Sequence, residues 1–178
     1  MIPGLYLIAK VLRNAQQPQQ LAESLKATIR LLVSLGEDLP RDMGDQQLAI
    51  DIQHMNATLR HTYDDSIFNM EETKDKKTVT VQKIYADLVH LLHFAQPSLI
   101  SSVSLRMVDL TMKTGLSATS PLVFAYYGGV TTTSGNLAEG CRLGMCFMSM
   151  IRMWNLAALS HHPCLFHAVS DFIRSAGT

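Results

Sequence analysis

The apolar residues of segment 79–96 recur at helical spacing, and this pattern constrains the fold more than any other feature of the chain. The residues of this stripe are Val81, Ile84, Tyr85, Leu88, Leu91, Leu92 and Ala95. Such spacing places them on one face of an α-helix. Similar stripes occur in segments 18–36, 45–61 and 97–115, and no convincing alternating strand pattern interrupts them. The sequence therefore predicts an all-α fold.

Residue types at the helix ends predict two further helices. Ser120 is a typical helix cap and Pro121 suits the first position of a helix, and Gly135 and Asn136 break that helix and open the next. Segment 97–115 carries two apolar stripes, which is typical of an inner helix that packs on both sides. We expect six or seven helices, with short connections that make consecutive helices antiparallel neighbours.

The chain divides into two predicted regions. Residues 1–156 form the helical region, with an exposed polar connection at about 63–78. The pattern decays afterwards, so residues 157–178 are expected to be partly helical, at about 164–174, or disordered.

Composition limits the function classes. Hydrophobic residues make up 47% of the 178 residues and charged residues 17%, and 15 basic side chains balance 15 acidic ones. A nucleic-acid binder usually carries a basic excess, so nucleic acid is not an expected partner. Apolar surface with zero net charge favours association with another protein or domain. An odd, small number of cysteines favours reduced thiols in the cytoplasm.

No membrane-spanning segment or cofactor motif is expected. No run of about 18 apolar residues occurs in the chain. The short apolar run at 2–9 lacks the basic start and cleavage site of a signal peptide. It favours, at most, a membrane-surface protein, which liposome flotation would reveal. Phosphate-binding loops and hydrolase, metalloprotease and kinase motifs are also missing, so we expect neither an enzyme nor a bound cofactor.

Gly128, Gly140 and Gly144 lie inside the last two predicted helices. Each costs roughly 1 kcal/mol relative to alanine, so a packing gain must offset it. Close approach of the two helix backbones is the expected gain, with the rings of Phe124 and Tyr127 filling the remaining space. Asn136 is the expected cap of the second helix, with Glu139 three residues later.

A metal site is the alternative to a purely structural interpretation. The candidate ligands are His161, His162, Cys164 and His167. Zinc needs three or four ligands in tetrahedral reach, and Cys141 or Cys146 would have to join this cluster. The structural interpretation treats the cluster as polar residues of a C-terminal connection, and we predict no residue as a metal ligand.

Two stretches resemble a known family. They are ATIRLLVSLGEDLP, at 27–40, and SLRMVDLTMKTGLSATSPLVFAYYGGVTTTSGNLAEGCRLG, at 104–144. The matching positions are Gly115, Ser120, Pro121, Phe124, Ala125, Tyr126, Gly128, Gly135, Asn136, Gly140, Arg142 and Gly144. Over residues 20–152 the chain resembles the tetratricopeptide-like helical region of large signalling proteins that combine serine/threonine kinase, P-loop ATPase, GAF and histidine kinase domains. It departs from that pattern at Cys141 and Leu143, where aromatic residues are common.

The resemblance implies a fragment of such a protein, folded as antiparallel hairpins in a short α-solenoid. The kinase and ATPase motifs are missing, so it implies a module for protein contact and signal relay without chemistry of its own. The concave surface would be lined by the helices at 99–114, 121–134 and 136–153. Tyr126 and Arg142 are the candidate contact residues.

Overall fold

The computed structural model describes residues 18–37, 45–62 and 64–153, and these residues confirm the all-α fold. Their secondary structure consists of α1 (Pro18–Ser34), α2 (Asp45–His61), α3 (Asp64–Phe68), α4 (Lys76–Ala95), a 3-10 turn (Pro97–Leu99), α5 (Ile100–Thr114), α6 (Ser120–Thr133) and α7 (Leu137–Met153). Within these ranges the only β-type pairing is one isolated bridge, between Glu72 and Leu116. None of the described helices is both long and apolar enough to cross a membrane.

The first residue of α4 is set by a cap. The Asp75 carboxylate accepts hydrogen bonds from the backbone N–H groups of Lys77 and Thr78, at 3.2 and 3.1 Å. The hydroxyl of Thr78 also donates to it, and these bonds lower the pKa of Asp75 below its ordinary value. The helix therefore starts at Lys76, within the segment that the polar composition assigned to a connection.

Helices α4 to α7 pack in chain order, each against the next. Helix α5 also contacts α2, which confirms that its two apolar stripes belong to an inner helix. The expected pairing of consecutive helices does not extend to the N-terminal part, because α1 packs mainly against α4.

One continuous core joins these helices. Its fully buried large side chains include Leu32 of α1, Leu59 of α2, Tyr85 of α4, Met107 of α5, Phe124 of α6 and Leu143 of α7. Most of the apolar stripes seen in the sequence point into this core, as their spacing predicts.

The segment at 63–78 is only partly the exposed connection that its composition predicts. Most of its described side chains are exposed or half-buried, but α3 forms within it and Ile67 is completely buried. Backbone hydrogen bonds then fasten the segment to Leu116, which donates to the Glu71 carbonyl at 3.0 Å and accepts from the Thr73 N–H at 2.8 Å. These contacts are non-local, which is why the local sequence did not reveal them.

Several predictions concern residues outside the described ranges. They are the apolar run at 2–9, the helix at 164–174, the metal cluster at 161–167 and the C-terminal region 157–178.

Candidate interaction site

The α6–α7 hairpin holds most of the site residues that the sequence singled out. Its turn is made by Gly135, whose φ of 91° is one that other residues rarely adopt. Asn136 follows, and its side-chain oxygen lies 3.4 Å from the Glu139 N–H, in the position of a helix cap. The Glu139 carboxylate does not complete a reciprocal capping box, because it binds Arg142 instead.

The two helices approach each other closely at their glycines. A β-carbon on Gly128 would lie 3.2 Å from the Gly140 carbonyl oxygen and 3.6 Å from the Gly144 nitrogen. A β-carbon on Gly140 would overlap the Thr132 hydroxyl and lie 2.8 Å from the Gly128 carbonyl oxygen. The small residues in this hairpin therefore serve packing, since a larger residue at Gly140 would push the two backbones apart.

Phe124 and Tyr127 are both completely buried, while their filling of the space beside the glycine contact stays a prediction. The Tyr127 hydroxyl lies 3.0 Å from Asn56 Oδ1 and 3.2 Å from the Ile52 carbonyl oxygen, so it donates to α2. Thr131 also donates to Asn56 Oδ1, at 3.2 Å. Burial raises the pKa of Tyr127, which keeps its hydroxyl a donor over the whole neutral range. Asn56 was not anticipated from the sequence, because only the packed fold brings α2 to α6.

Tyr126, a candidate contact residue, is also largely inside the fold. Its side chain is 5% exposed, and its ring centroid lies 5.9 Å from that of His93 on α4. A partner could reach little of this side chain without displacing its neighbours. Its role in binding a partner stays a prediction.

Arg142, the second candidate, forms a cluster with three elements. Its guanidinium binds the Glu139 carboxylate, with Nη2 at 2.6 Å from Oε1, and donates to the Leu59 carbonyl oxygen at 3.0 Å. It also forms an ion pair with Asp64, the first residue of α3. Arg60 lies 3.8 Å from Glu139 at the edge of the same cluster. Arg142 thus caps the last turn of α2 and fastens α3 to α7.

The charged groups of this cluster differ in burial. The Glu139 side chain is only 7% exposed and that of Arg142 23%, whereas that of Asp64 is 41% exposed. Hydrogen bonds to Glu139 raise the pKa of Arg142 above its ordinary value. A buried carboxylate of this kind is tolerated because a guanidinium stays paired with it.

A second arginine cluster, formed around Arg106, was not anticipated from the sequence. Glu37, just after α1, accepts hydrogen bonds from Arg106 Nη2 and from the Tyr85 hydroxyl, both at 2.9 Å. Arg106 also donates to Asp109 at 2.9 Å. Burial, and then Glu37, raise the pKa of Tyr85. No local signal in the sequence pairs Glu37 with residues so far along the chain.

The two described cysteines have different surroundings. Cys146 is buried, and burial raises its pKa to about 12, so its thiol stays protonated at neutral pH. Cys141 is half-buried on the outer side of α7. Of the two, Cys141 is the better placed to ligate a metal. No group of three or more possible metal ligands lies within residues 18–37, 45–62 and 64–153, and the proposed partners at 161–167 lie outside these ranges.

Comparison with protein-family models, with curated proteins and with solved structures finds no match to the chain.

Proposed function

We propose that this chain is a helical module that makes protein contacts and relays conformational signals within a larger ATPase-coupled regulator. The observation that carries the proposal is the packing of α4 to α7 in chain order, closed by a hairpin with glycines in contact. Tetratricopeptide-like arrays pack their helices in this consecutive way, and they present extended surfaces to partners. We further propose that these helices form a short α-solenoid.

The polar contacts of the described residues also suit a relay better than a catalyst. Within each arginine cluster the guanidinium is paired with a carboxylate, as Arg106 with Glu37 and Arg142 with Asp64. Each cluster therefore joins parts of the fold that are far apart in the chain. Paired charges of this kind transmit a shift of one helix to its neighbours, whereas a catalytic group must be free to meet a substrate.

The first test is an immunoblot of the native cells with an antibody raised against residues 120–153. The proposal expects a band far above the 19.7 kDa of this chain. A single band near that mass would refute the larger regulator.

A second test addresses the relay itself. In the purified parent protein, addition of a nucleotide should change the rate of amide hydrogen exchange in peptides from α6 and α7. A matched control is the same protein with its nucleotide-binding lysine replaced, which should show no change. Unaltered exchange in a parent that still hydrolyses nucleotide would show that this region does not relay the signal.

Metal analysis of the same protein separates the proposal from the metal-binding alternative. Stoichiometric zinc that is lost in a Cys164→Ser/His167→Ala double variant would show a metal site at 161–167 and overturn the proposal. Protein free of zinc after purification without chelators agrees with the proposal.

A further inference from the structure

Helix α7 carries a stripe of exposed apolar side chains on its outer side. Leu137 is 51% exposed, Met145 66% and Met148 44%, and Cys141 lies half-buried between them. These four positions follow a spacing of four, four and three residues, so they share one face of the helix. We call these four residues the α7 outer stripe.

The opposite face of α7 is already used. Leu143, Phe147 and Met150 are buried in the core, and α6 is the main neighbour of the helix. A helix at the end of a stacked array normally presents a polar outer face, because nothing follows to bury an apolar one. The α7 outer stripe departs from this rule, and a contiguous apolar patch of this kind indicates a docking surface.

We propose that the chain's own residues 165–173 cover the α7 outer stripe and cap the helical array. Their apolar residues are Leu165, Phe166, Val169, Phe172 and Ile173, which recur at helical spacing. Polar residues occupy the positions between them, namely His167, Ser170 and Asp171. A helix with this pattern buries its apolar side on the stripe and gives the end of the array a polar outer surface.

The lengths agree with this arrangement. The stripe runs over 12 residues from Leu137 to Met148, about 17 Å of helix, and nine helical residues at 165–173 cover about 14 Å. The 11 residues at 154–164 can span up to about 36 Å, which is ample for the chain to turn back along α7. Pro163 stands just before the segment, where a proline suits the start of a helix.

Low charge is compatible with this occupant, and tethering favours it over a second copy of the chain. The segment 165–173 carries one acidic residue and no lysine or arginine, so its docking on an uncharged stripe buries few charges. Its tethering to α7 also gives it a high effective concentration, which a second copy lacks. The capping role is independent of the proposed relay, since it requires only the described face of α7 and the residues that follow.

The native cysteines provide the assay. Cys141 lies in the stripe and Cys146 in the core, and trypsin cleaves after Arg142, which places the two in different peptides. Cys164 is first replaced by serine in the full chain. The rate of N-ethylmaleimide labelling is then measured at each cysteine by mass spectrometry.

Phe172→Asp is the disrupting variant and Ser170→Asp the matched control, because both add one carboxylate to the same segment. We expect Phe172→Asp to raise the labelling rate of Cys141 about tenfold, while Ser170→Asp leaves it within about twofold. Cys146 should stay protected in both, which shows that the core is intact. If Phe172→Asp exposes Cys146 as well, it is replaced by Val169→Ser, because that variant removes less apolar area.

Equal labelling of Cys141 in the disrupting and control variants would overturn the proposal. Protection of Cys141 that increases with protein concentration would overturn it too, and would assign the stripe to a second copy. These results concern only α7, so they leave the immunoblot and exchange tests of the relay unaffected.

Discussion

The contact of Gly128 with Gly140 allows a sharp test of the packing between α6 and α7. In Gly140→Ala the new methyl group overlaps the Thr132 hydroxyl and lies 2.8 Å from the Gly128 carbonyl oxygen. The Thr132 side chain can rotate, although it then gives up its 2.9 Å hydrogen bond to that carbonyl. The carbonyl itself belongs to the backbone of α6, so the two helices must separate.

Two opposing contributions set the magnitude of this effect. Overpacking of a filled interior costs about 1–3 kcal/mol, and alanine gains about 1 kcal/mol over glycine in helix propensity. Because the overlap involves backbone, we expect the upper part of the cost and a net loss of about 1–2 kcal/mol. For a chain of this size, each 1 kcal/mol changes Tm by about 2–4 °C, so Tm should fall by about 2–8 °C.

Gly129→Ala is the matched control. Gly129 lies in the same helix, and a β-carbon there would meet nothing within 4 Å. Its alanine variant keeps the propensity gain without the overlap, so its Tm should rise by about 2–4 °C. Thermal unfolding followed by circular dichroism measures both. A Gly140→Ala protein that melts at or above the wild type would refute the close approach of the two helices.

Three further predictions follow from the buried polar contacts. Tyr127→Ala should lower the free energy of unfolding, measured by denaturant titration, by about 3–5 kcal/mol. Tyr127→Phe loses only the hydrogen bond to Asn56 and should lower it by about 1–2 kcal/mol. An unchanged unfolding midpoint for Tyr127→Ala would contradict the core position of this ring. Arg142→Met should cost about 2 kcal/mol, because the buried Glu139 carboxylate then keeps only its ion pair with the exposed Arg60, at 3.8 Å. Arg30→Met on the exposed side of α1 is the control and should change stability by less than about 0.5 kcal/mol. Alkaline pH should also unfold the protein. The folded-state pKa values of Tyr85, Tyr127 and Cys146 lie above their ordinary values of 10.0, 10.0 and 9.0. The stability from these groups is therefore full below about pH 9 and falls at higher pH, because the unfolded state loses these protons first. Titration of unfolding by tyrosinate absorbance should show a steep, cooperative rise, and two tyrosines that ionise without unfolding would contradict their burial.

The helices could be predicted from the sequence because their determinants are local. Apolar spacing located α4 and α5. Ser120 with Pro121 located the start of α6 to within one residue, since Thr119 and not Ser120 holds the cap position. The glycines of the last hairpin indicated close packing because a helical glycine needs a compensating contact, and the approach of Gly128 to Gly140 confirms this interpretation. The residues behind each of these predictions lie close together in the sequence.

The polar clusters could not be predicted, because their members lie far apart in the sequence. Arg106 and Glu37 are 69 residues apart, and Arg142 and Asp64 are 78 apart. Pairing them requires knowing that α1 packs on α4 and that α3 lies beside α7, and the apolar stripes contain no such information. For the same reason the sequence offered Arg142 only as a candidate contact residue, and the three partners of its guanidinium within the fold were not foreseen.

The placement of these two arginines gives them a common structural role. Helices α4 to α7 pack in chain order, so short connections fix their neighbours, but α1 and α2 reach their positions without that help. Apolar contacts alone tolerate sliding, since they have little directionality. Arg106 binds Glu37, three residues after the end of α1, and Arg142 binds the last turn of α2 and the first residue of α3, so each adds a directional contact at the end of a helix. On this argument, replacing either arginine should loosen the N-terminal helices before it unfolds the α6–α7 hairpin, and hydrogen exchange would show the order.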